Sequence, residues 1–547
     1  MGSEEADEEE IAGEEGIPLP FPSPSPVGSP IVLQFAVDAG AFRQLGEADY
    51  PAWAKSDAIR RHLKSTYFDT EDQRLARRGL SLNVRSDGRR YSQKLTAENS
   101  GENGSAEASD WQGEITTAAP QLEAIDNPEL RERLGFLSPD ALIPLFTTDI
   151  KREERIVEVF EGGQDNLIAV ALDQGEIGAG STVARLSEVK LKLLQGLPAA
   201  LYRFGLAVLE RVPLALEPQS RAARGFALVS GTPPSWSKAF SVQLDTEMTV
   251  EDGMVCILSA CVGQLLANQA AVADGRDPEG VHQFRVALRR LRSALTTFKP
   301  VLPPTQLDHF QEAARWSVRA LNPARDWDVF LDELLPPVGG APGVDQGRFA
   351  ALQAGVGAAR AAGYEEARAM LRSPRYTRLV LETALWLDER GWRREASAPA
   401  AERLGETISG YAGVLLDKRH GSARKRGRGF DNQPAEERHR LRIALKKLRY
   451  ATEFFRSLYP AEQTRPYLAR LKSLQDTLGH MNDVATAERL IGSLIDGRTE
   501  NNRIDGELVK LAVAGGRILG WYAHAVEAVE PKARRAWREF KASEVFW

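Results

Sequence analysis

An internal repeat constrains the fold of this chain more than any other feature of its sequence. The segment VHQFRVALRRLRSALTTF, residues 281–298, aligns with RHRLRIALKKLRYATEFF, residues 438–455, at an offset of 157 residues. The same offset pairs LNPARDWDV with LGHMNDVAT, and so matches Asp326 with Asp483. Two separated blocks in one register predict a duplicated helical bundle, with repeats over 281–334 and 438–491 and pseudo-twofold symmetry.

Each copy of the repeat separates its charges from its apolar residues. At 100° per residue, Arg285, Arg289 and Arg292 lie on one side of a helix, while Phe284 and the leucines lie on the other side. Residues 281–298 contain no acid, although the net charge of the chain is −6. Like charges three or four residues apart destabilise an isolated helix, so a basic face present in both copies predicts a bound anion. The alternative is a solvated surface, or ion pairs with acids elsewhere in the fold.

Both basic segments begin close to a proline, which favours the start of a helix. Pro278 lies four residues before His282, and Pro434 lies five residues before His439. Each histidine is therefore placed near a first helical turn, where exposed N–H groups favour an anion.

The rest of the chain is divided by its composition. Residues 1–29 are acidic and then rich in Pro and Ser, which predicts a disordered tail. Residues 30–230 contain short apolar runs separated by Gly-bearing turns, and they predict a mostly antiparallel β domain. Residues 231–244 are interpreted as a linker, and residues 245–547 show helical periodicity. The predicted fold is an α+β multidomain chain, in which an antiparallel β tunnel or barrel precedes an all-α duplicated helical bundle.

The sequence also argues against some classes of protein. No apolar run approaches the roughly 20 residues that span a bilayer, and the acidic N-terminus MGSEEADEEE is unlike a signal or transit peptide. We therefore expect a cytoplasmic protein without a membrane partner. Cys256 and Cys261 lie on an apolar helical stretch and are expected to be core residues rather than a disulfide or a metal pair.

The repeated pattern H-x-x-R-x-x-x-R/K-R/K-x-R, followed by RDWDV and LGHMND, resembles the CHAD domain, a conserved-histidine α-helical domain. The resemblance covers about residues 245–547 and implies a two-lobed bundle whose basic central cavity binds inorganic polyphosphate. By matching position, the implied binding residues are His282, Arg285, Arg289, Arg290, Arg292, His439, Arg442, Lys446, Lys447 and Arg449. The resemblance gives Asp326 and Asp483 the role of orienting the basic side chains.

The segment DKRHGSARKRGRGF, residues 417–430, is expected to form a loop that extends this basic surface. Its cations are Lys418, Arg419, Arg424, Lys425, Arg426 and Arg428. We include Lys418 and Arg419 in the expected polyphosphate-binding set.

Five blocks in the β half follow, in order, the blocks of a CYTH domain, and this resemblance covers about residues 30–230. They are YFDTEDQRLARRGLSLNVR, LFTTDIKREER, VALDQGEIGAG, EVKLKLLQG and SRAARGFAL. The family belongs to the triphosphate tunnel metalloenzymes, so the resemblance implies eight antiparallel strands around a tunnel, basic residues that hold a triphosphate, and glutamates that bind Mg²⁺ or Mn²⁺. The phosphate-binding residues implied here are Arg85, Lys94, Arg152, Lys190, Lys192 and Arg224.

The sequence departs from the CYTH pattern at the residues that carry its chemistry. PIVLQ at 30–34 replaces E-x-E-x-K, EVKLK at 188–192 replaces E-x-E-x-E, and LNVR at 82–85 replaces LRVR. KLT at 94–96 replaces TLK and leaves Lys94 on the same face of its strand. Glu188 is the candidate metal ligand, but even with Glu114 and Asp173 the acids are too few for two-metal hydrolysis.

The predicted function is non-catalytic binding of inorganic polyphosphate, with an association with polyphosphate granules and tripolyphosphate as a further ligand. No cofactor is expected, and Mg²⁺ or Mn²⁺ is needed only if the tunnel is active. Two alternatives stay open. One is an active metal-dependent triphosphatase. The other is binding to the phosphate backbone of a nucleic acid, which is disfavoured because the basic helices offer few aromatic or Asn and Gln side chains for bases.

Overall fold

A computed structural model describes residues 31–46, 58–86, 90–97, 109–340, 345–499 and 506–547. The chain divides into two units, Met1–Ser237 and Lys238–Trp547. The tail expected over 1–29 lies outside the described residues, as does the first residue of the PIVLQ segment.

The first unit is built on one antiparallel sheet of nine strands. The strands are β1 Val32–Ala36, β2 Ile59–Asp69, β3 Leu80–Ser86, β4 Tyr91–Ala97, β5 Ser109–Ile115, β6 Ile143–Glu161, β7 Gln164–Ala179, β8 Thr182–Gln195 and β9 Ala215–Leu216. Their order is β5-β4-β3-β2-β6-β7-β8-β1-β9, so β5 and β9 form the two edges among the described strands. The predicted antiparallel β domain is confirmed.

The alternation of side chains along β8 separates an apolar face of the sheet from a charged one. Val189 and Leu191 are fully buried on one face, and Glu188 and Lys190 point to the other. Residues opposite each other on paired antiparallel strands share a face. The register Arg152↔Asp173 between β6 and β7, and Asp173↔Glu188 between β7 and β8, therefore places these three charges in one row.

Four helices belong to the first unit: α1 Ala39–Gly46, α2 Pro128–Leu134, α3 Pro198–Leu209 and α4 Arg221–Ser230. Helix α4 contacts β6 and β7 and begins at Ser220, whose side chain accepts a hydrogen bond from the Ala223 amide at 3.1 Å. Gly225 lets α4 approach the sheet closely, because a Cβ atom there would lie 2.0 Å from the ring of Phe146. This close approach brings the first turn of α4 over the charged row.

In the part of the chain that the structure describes, the second unit is built of helices, with one isolated β-bridge between Thr249 and Thr407. Its helices are α5 Val250–Asp274, α6 Pro278–Thr297, α7 Pro304–Val329, α8 Pro336–Gly339, α9 Gln346–Arg372, α10 Pro374–Asp388, α11 Ala398–Leu404, α12 Ile408–Arg426, α13 Ala435–Phe455, α14 Ala461–Thr499 and α15 Gly506–Lys541. The predicted helical C-terminal region is confirmed. The basic segments form α6 and α13, which begin beside Pro278 and Pro434.

The helices pack in the same order in the two halves of this unit. In the first half α5 packs on α6, α6 on α7, and α7 on α9; in the second half α12 packs on α13, α13 on α14, and α14 on α15. The halves meet where α6 contacts α13 and where α9 contacts α15. The two basic helices are therefore neighbours.

Helix α5 corrects one expectation from the sequence. Over Val250–Asp274 it is long and apolar enough to cross a membrane, but 83% of its most apolar window is buried inside the helical unit. Its buried residues include Gln264 and Asn268 as well as Cys261, which fits a core helix. Cys256 is half-buried, and both cysteines are free.

The prediction of a loop over residues 417–430 is also wrong. Helix α12 continues to Arg426, and only the short segment after it turns, with Gly429 at a φ of 69°. The buried residues Leu416, His420 and Ala423 follow helical spacing and anchor this part of α12. The cations of the segment therefore stand mostly on a helix that packs beside α13.

Candidate functional site

A cavity of about 650 Å³ lies between α6, α13 and α14, beside the segment that leads into α5. We call it the central cavity. Two carboxylates, Glu453 and Asp476, contribute to its lining together with the imidazole of His282. Its cationic side chains outnumber these acids by seven to two and are Lys238, Arg289, Arg290, Lys446, Arg449, Arg456 and Lys472.

Arg289 and Lys446 are equivalent positions of the repeat and both line the central cavity. Burial and, after it, the charges of the surrounding arginines, led by Arg442 and Arg289, lower the pKa of Lys446 to about 8. The Arg289 Nε donates a hydrogen bond to the Tyr450 hydroxyl at 3.4 Å. Lys446 is thus held among cations, and an anion in the cavity would relieve this repulsion.

His282 and Arg285 lie one turn apart on α6 under the same influence. Burial, followed by the charges of Arg325, Arg289 and Arg285, lowers the pKa of His282 to about 4, so this imidazole is neutral at pH 7. Burial also lowers the pKa of Arg285 to about 10, with Arg289 as the largest charged contribution. Arg285 donates a hydrogen bond to the Asn322 side chain and is not part of the cavity lining.

Three further members of the expected set have acidic partners or neighbours. Arg290 is only 6% exposed, lies 3.6 Å from Glu453 and stacks over the Phe454 ring at 5.3 Å. The Arg449 Nε donates to Glu453 at 2.6 Å. Arg292 points toward α7, where Glu312 and two arginines surround it, and not into the cavity. The shared basic face predicted for α6 is therefore split, because neighbouring helices cover part of it.

The two histidines of the repeat occupy different environments. His439 is exposed and does not line the central cavity, whereas His282 is half-buried in it. Arg442 is half-buried close to Lys446. Asp326 accepts a hydrogen bond from Arg489 at 2.6 Å, and its charge opposes part of the lowering of the Arg285 pKa, which fits an orienting role. The side chain of Asp483 lies outside the described residues.

A second basic surface lies between α12 and α13, and we call it the outer groove. It consists of two adjoining depressions of about 450 and 280 Å³ that share Ser422, Arg426 and Arg440. Its cations are Arg419, Lys425, Arg426, Arg428, Arg440 and Lys447. The expected binding residues Arg419 and Lys447 thus belong to the outer groove, while Lys418 and Arg424 are exposed outside its lining.

In the first unit, α4 and the charged row of the sheet form a network of ion pairs that we call the sheet-face cluster. Arg152 binds Asp173 through two hydrogen bonds of 2.7 Å each. Arg221 bridges both acids: its Nε lies 3.0 Å from Glu188 Oε2, and its Nη2 donates to Asp173. Arg224 also donates to Glu188. Every carboxylate oxygen of Asp173 and Glu188 therefore accepts a guanidinium hydrogen bond.

The acids of the sheet-face cluster are stabilised in their charged forms. Burial opposes ionisation of Asp173, which is 0% exposed, but the bonds from Arg152 and the charge of Arg221 outweigh burial and lower its pKa to about 2. The pKa of Glu188 is lowered in the same way, with Arg224 as the largest charged contribution. Burial and the charge of Arg221 lower the pKa of Lys190, beside these groups, to about 7.

The other residues expected in the tunnel divide between this cluster and the surface. Arg85 is half-buried and lies near Arg152 and Arg221, and burial lowers its pKa. Lys94 forms an ion pair with Asp110 at 2.5 Å, and Lys192 is exposed two residues beyond Lys190 on the same face. Glu114 is exposed, pairs with Arg90 and takes no part in the cluster.

The donor set does not fit the Mg²⁺ or Mn²⁺ that the CYTH resemblance implies. Hard divalent cations need about six oxygen ligands, and the oxygens of Asp173 and Glu188 are already bound to guanidinium groups. Among the described residues, no group of three or more His, Cys, Asp or Glu side chains could hold a metal ion. No chemical step through a metal is therefore derived for the sheet-face cluster.

The sequence interpretation missed Arg221 in the sheet-face cluster, and it also missed Lys238, Arg456 and Lys472 in the lining of the central cavity. Arg221 lies in the block SRAARGFAL, three residues before Arg224, and both side chains point from the first turn of α4 to Glu188. The i, i+3 spacing after the N-cap Ser220 was a usable signal, because residues three apart share a helix face.

Comparison with known proteins finds two domain families in this chain. The CYTH domain model matches residues 30–211, and the CHAD domain model matches residues 256–492. The inorganic triphosphatase of Haemophilus influenzae is 30% identical over 170 residues, which are 31% of this chain and 46% of that protein. The match thus spans less than half the length of this relative.

Three solved structures with similarity to the chain each cover between about a third and just over half of it. The CHAD domain from the plant Ricinus communis is 32% identical with a TM-score of 0.47, over 55% of this chain and 96% of that one. PptA from Streptomyces chartreusis is 19% identical with a TM-score of 0.41, over 53% of this chain and 100% of that one. A Hippeastrum putative adenylyl cyclase, described as having a dominant triphosphatase activity, is 17% identical with a TM-score of 0.27, over 36% and 96%.

Proposed function

We propose that the chain binds inorganic polyphosphate in the central cavity of its helical unit, where the CHAD domain model matches, without catalysing a reaction there. The observation that carries the proposal is the lining of this cavity, with seven cations against two carboxylates. Burying like charges together is unfavourable, so a bound polyanion would stabilise the arrangement.

Inorganic polyphosphate suits the chemistry of this lining. A linear polyphosphate carries about one charge per phosphate and offers no base edge or apolar surface, so charge and N–H donors must supply its recognition. Arg289 can give bidentate hydrogen bonds to phosphate oxygens, and Lys446 adds a compact point charge. His282 is neutral at pH 7 and so has one N–H to donate.

The experiment compares polyphosphate binding to the full chain and to the double variant Arg289→Ala/Lys446→Ala. Hydrogen bonds to charged groups contribute about 1.5–3 kcal/mol each, so affinity should fall at least about a hundredfold. The matched control is Arg372→Ala/Lys532→Ala, which removes two exposed cations of the same unit and should change affinity less than about twofold. Equal affinities of the two double variants would refute the proposal.

Single-stranded DNA of equal charge serves as the second arm of this titration. Binding of polyphosphate should weaken steeply with salt, because the anion releases counterions. DNA that binds as tightly as polyphosphate, and loses as much affinity in the Arg289→Ala/Lys446→Ala variant, would favour the nucleic-acid function instead. An association with polyphosphate granules belongs to the same proposal, and the fluorescently tagged double variant should lose it.

A second candidate function is metal-dependent hydrolysis of tripolyphosphate in the CYTH domain. The observation in its favour is the 30% identity with the inorganic triphosphatase of Haemophilus influenzae. Against it stands the pairing of Asp173 and Glu188 with arginines. Release of phosphate from tripolyphosphate with Mg²⁺ or Mn²⁺, lost in Glu188→Gln, would establish this activity; we expect no difference between the two proteins.

A further inference from the structure

The sheet-face cluster contains more positive charge than its acids balance. Five cations, Arg85, Arg152, Lys190, Arg221 and Arg224, lie around the two buried carboxylates. The third acid nearby, Glu217, lies 3.8 Å from Arg224. Even when Glu217 is counted, two positive charges remain in excess when Lys190 is protonated and one when it is neutral.

Several donors of the cluster have hydrogen-bonding capacity left. Among the described residues, the buried Nε of Arg224 has no hydrogen-bond partner, and the side chain of Arg85 makes one hydrogen bond, of 3.5 Å to Ser65. In the part of the chain that the structure describes, the Lys190 ammonium forms no hydrogen bond and no ion pair within 4 Å. Buried donors without partners cost free energy, and an anion placed between them would remove this cost.

We infer that the sheet-face cluster binds an oligophosphate by direct contacts with Arg85, Lys190 and Arg224, without a divalent cation. Arg221 makes this possible, because its guanidinium lies between Asp173 and Glu188 and neutralises the acids that would otherwise repel phosphate. Arg152 does the same for Asp173 from the opposite strand. Fixed guanidinium groups thus supply the charge balance for which a tunnel with free carboxylates needs metal ions.

This site is separate from the central cavity, and the two proposals can fail independently. Tripolyphosphate is the probe, and the protein is the full chain carrying Arg289→Ala/Lys446→Ala, so that the central cavity contributes little to binding. Calorimetric titration in EDTA should show that this variant binds tripolyphosphate at one site, with the affinity that this site has in the unsubstituted protein. Added Mg²⁺ should weaken binding, because it complexes the free tripolyphosphate rather than completing the site.

Two lysines of the sheet provide a matched pair of variants. Lys190→Gln should weaken tripolyphosphate binding in EDTA at least about tenfold, whereas Lys151→Gln, exposed on β6 and on the alternate face to Arg152, should change it less than about twofold. Arg85→Gln should also weaken tripolyphosphate binding. It serves as the second variant if circular dichroism shows that the Lys190→Gln protein does not fold.

Three results would overturn this inference: no binding in EDTA, binding that appears only when Mg²⁺ or Mn²⁺ is supplied, or equal affinities of Lys190→Gln and Lys151→Gln. Mn²⁺ binding followed by electron paramagnetic resonance gives a readout independent of phosphate. The full chain should leave Mn²⁺ free, and stoichiometric Mn²⁺ binding that Glu188→Gln abolishes would also contradict the inference. Polyphosphate binding by the protein with Lys190→Gln alone reports on the central cavity and should be retained.

Discussion

The sheet-face cluster and the central cavity both hold several cations close together, but they differ in the acids that accompany these cations. In the sheet-face cluster, arginines surround buried acids, and the charges of Asp173 and Glu188 raise the pKa of Arg221. In the central cavity, the charged neighbours of Lys446 are arginines, and its pKa falls to about 8. The first site has three acids for its five cations, and both buried acids are paired with arginines, whereas the second has only two carboxylates for seven cations.

This difference bears on what each site gives to stability and to binding. A buried pair with good geometry is costly to break, because the remaining partner is left charged and unpaired. A cavity lined by like charges is costly to keep empty, and its ligand receives the free energy that relieves the repulsion. The sheet-face cluster should therefore matter more for folding, and the central cavity more for ligand affinity.

The largest effect is expected from Asp173→Asn in the sheet-face cluster. The substitution leaves Arg152 and Arg221 buried with one carboxylate fewer, and we expect it to lower the free energy of unfolding by about 3–5 kcal/mol. Urea denaturation followed by circular dichroism measures this loss. The control is Asp149→Asn on the same sheet, whose partners His62 and Lys64 are exposed, with an expected loss below about 1 kcal/mol.

Equal and small losses of unfolding free energy in Asp173→Asn and Asp149→Asn would contradict this comparison of the two sites. They would mean that water or rearranged side chains compensate Arg152 and Arg221 as easily as they compensate surface charges. The sheet-face cluster would then have no special role in stability.

The second prediction concerns pH: stability should rise with pH at both sites, but in different pH windows. The pKa of Lys446 in the folded protein, about 8, is below its ordinary value, so the unfolded state holds more protons between about pH 8 and 10.5. Stability should rise with pH across that window. Replacing Lys446 with Gln should remove about 1–2 kcal/mol of this rise, a figure reduced for partial exposure, and Lys532→Gln should leave the rise intact.

Asp173 should act in the acidic range instead. Its folded pKa of about 2 is below the ordinary value, so its contribution is complete above about pH 4 and is lost as pH falls toward 2. Asp173→Asn should flatten this acid loss, and Lys446→Gln should not. A Lys446→Gln protein whose stability follows that of the wild type from pH 8 to 10.5 would contradict the like-charge description of the cavity.

Much of the fold was predictable because each helix carries its own pattern of apolar and charged residues, and because that pattern is repeated. The 157-residue offset predicted two equivalent basic helices, and α6 and α13 are those helices. The prediction of a loop over 417–430 was wrong, because it gave more weight to the glycines and the many charges than to Leu416, His420 and Ala423, which are buried at helical spacing. These three residues have helical spacing, and extending the periodicity beyond Leu416 would have revealed α12.

The sites were less predictable, because their chemistry depends on residues that are far apart in sequence. Arg290 matches the repeat, yet its acidic partner Glu453 belongs to the other copy, so no pattern around α6 indicates that its charge is balanced. Arg221 acquires its role from Asp173 and Glu188 on two different strands. Residue type and register predicted which charges share a face, but pairing depends on tertiary packing.

The smallest effect is expected from the outer groove. Arg426 is exposed, and Arg440 is exposed and already paired with Glu436 at 2.5 Å, so solvent screens their attraction for an anion. We expect Arg426→Ala/Arg440→Ala to weaken binding of long-chain polyphosphate only about two- to fivefold and to reduce the slope of log affinity against log salt by about one or two. Titrations at several salt concentrations, with Arg372→Ala/Lys532→Ala as the control of equal charge, measure both quantities. A loss near the hundredfold expected for Arg289→Ala/Lys446→Ala would mean that the outer groove holds the main contacts. The polyphosphate-binding site would then have to be assigned to the surface of α12 and α13, and not to the central cavity.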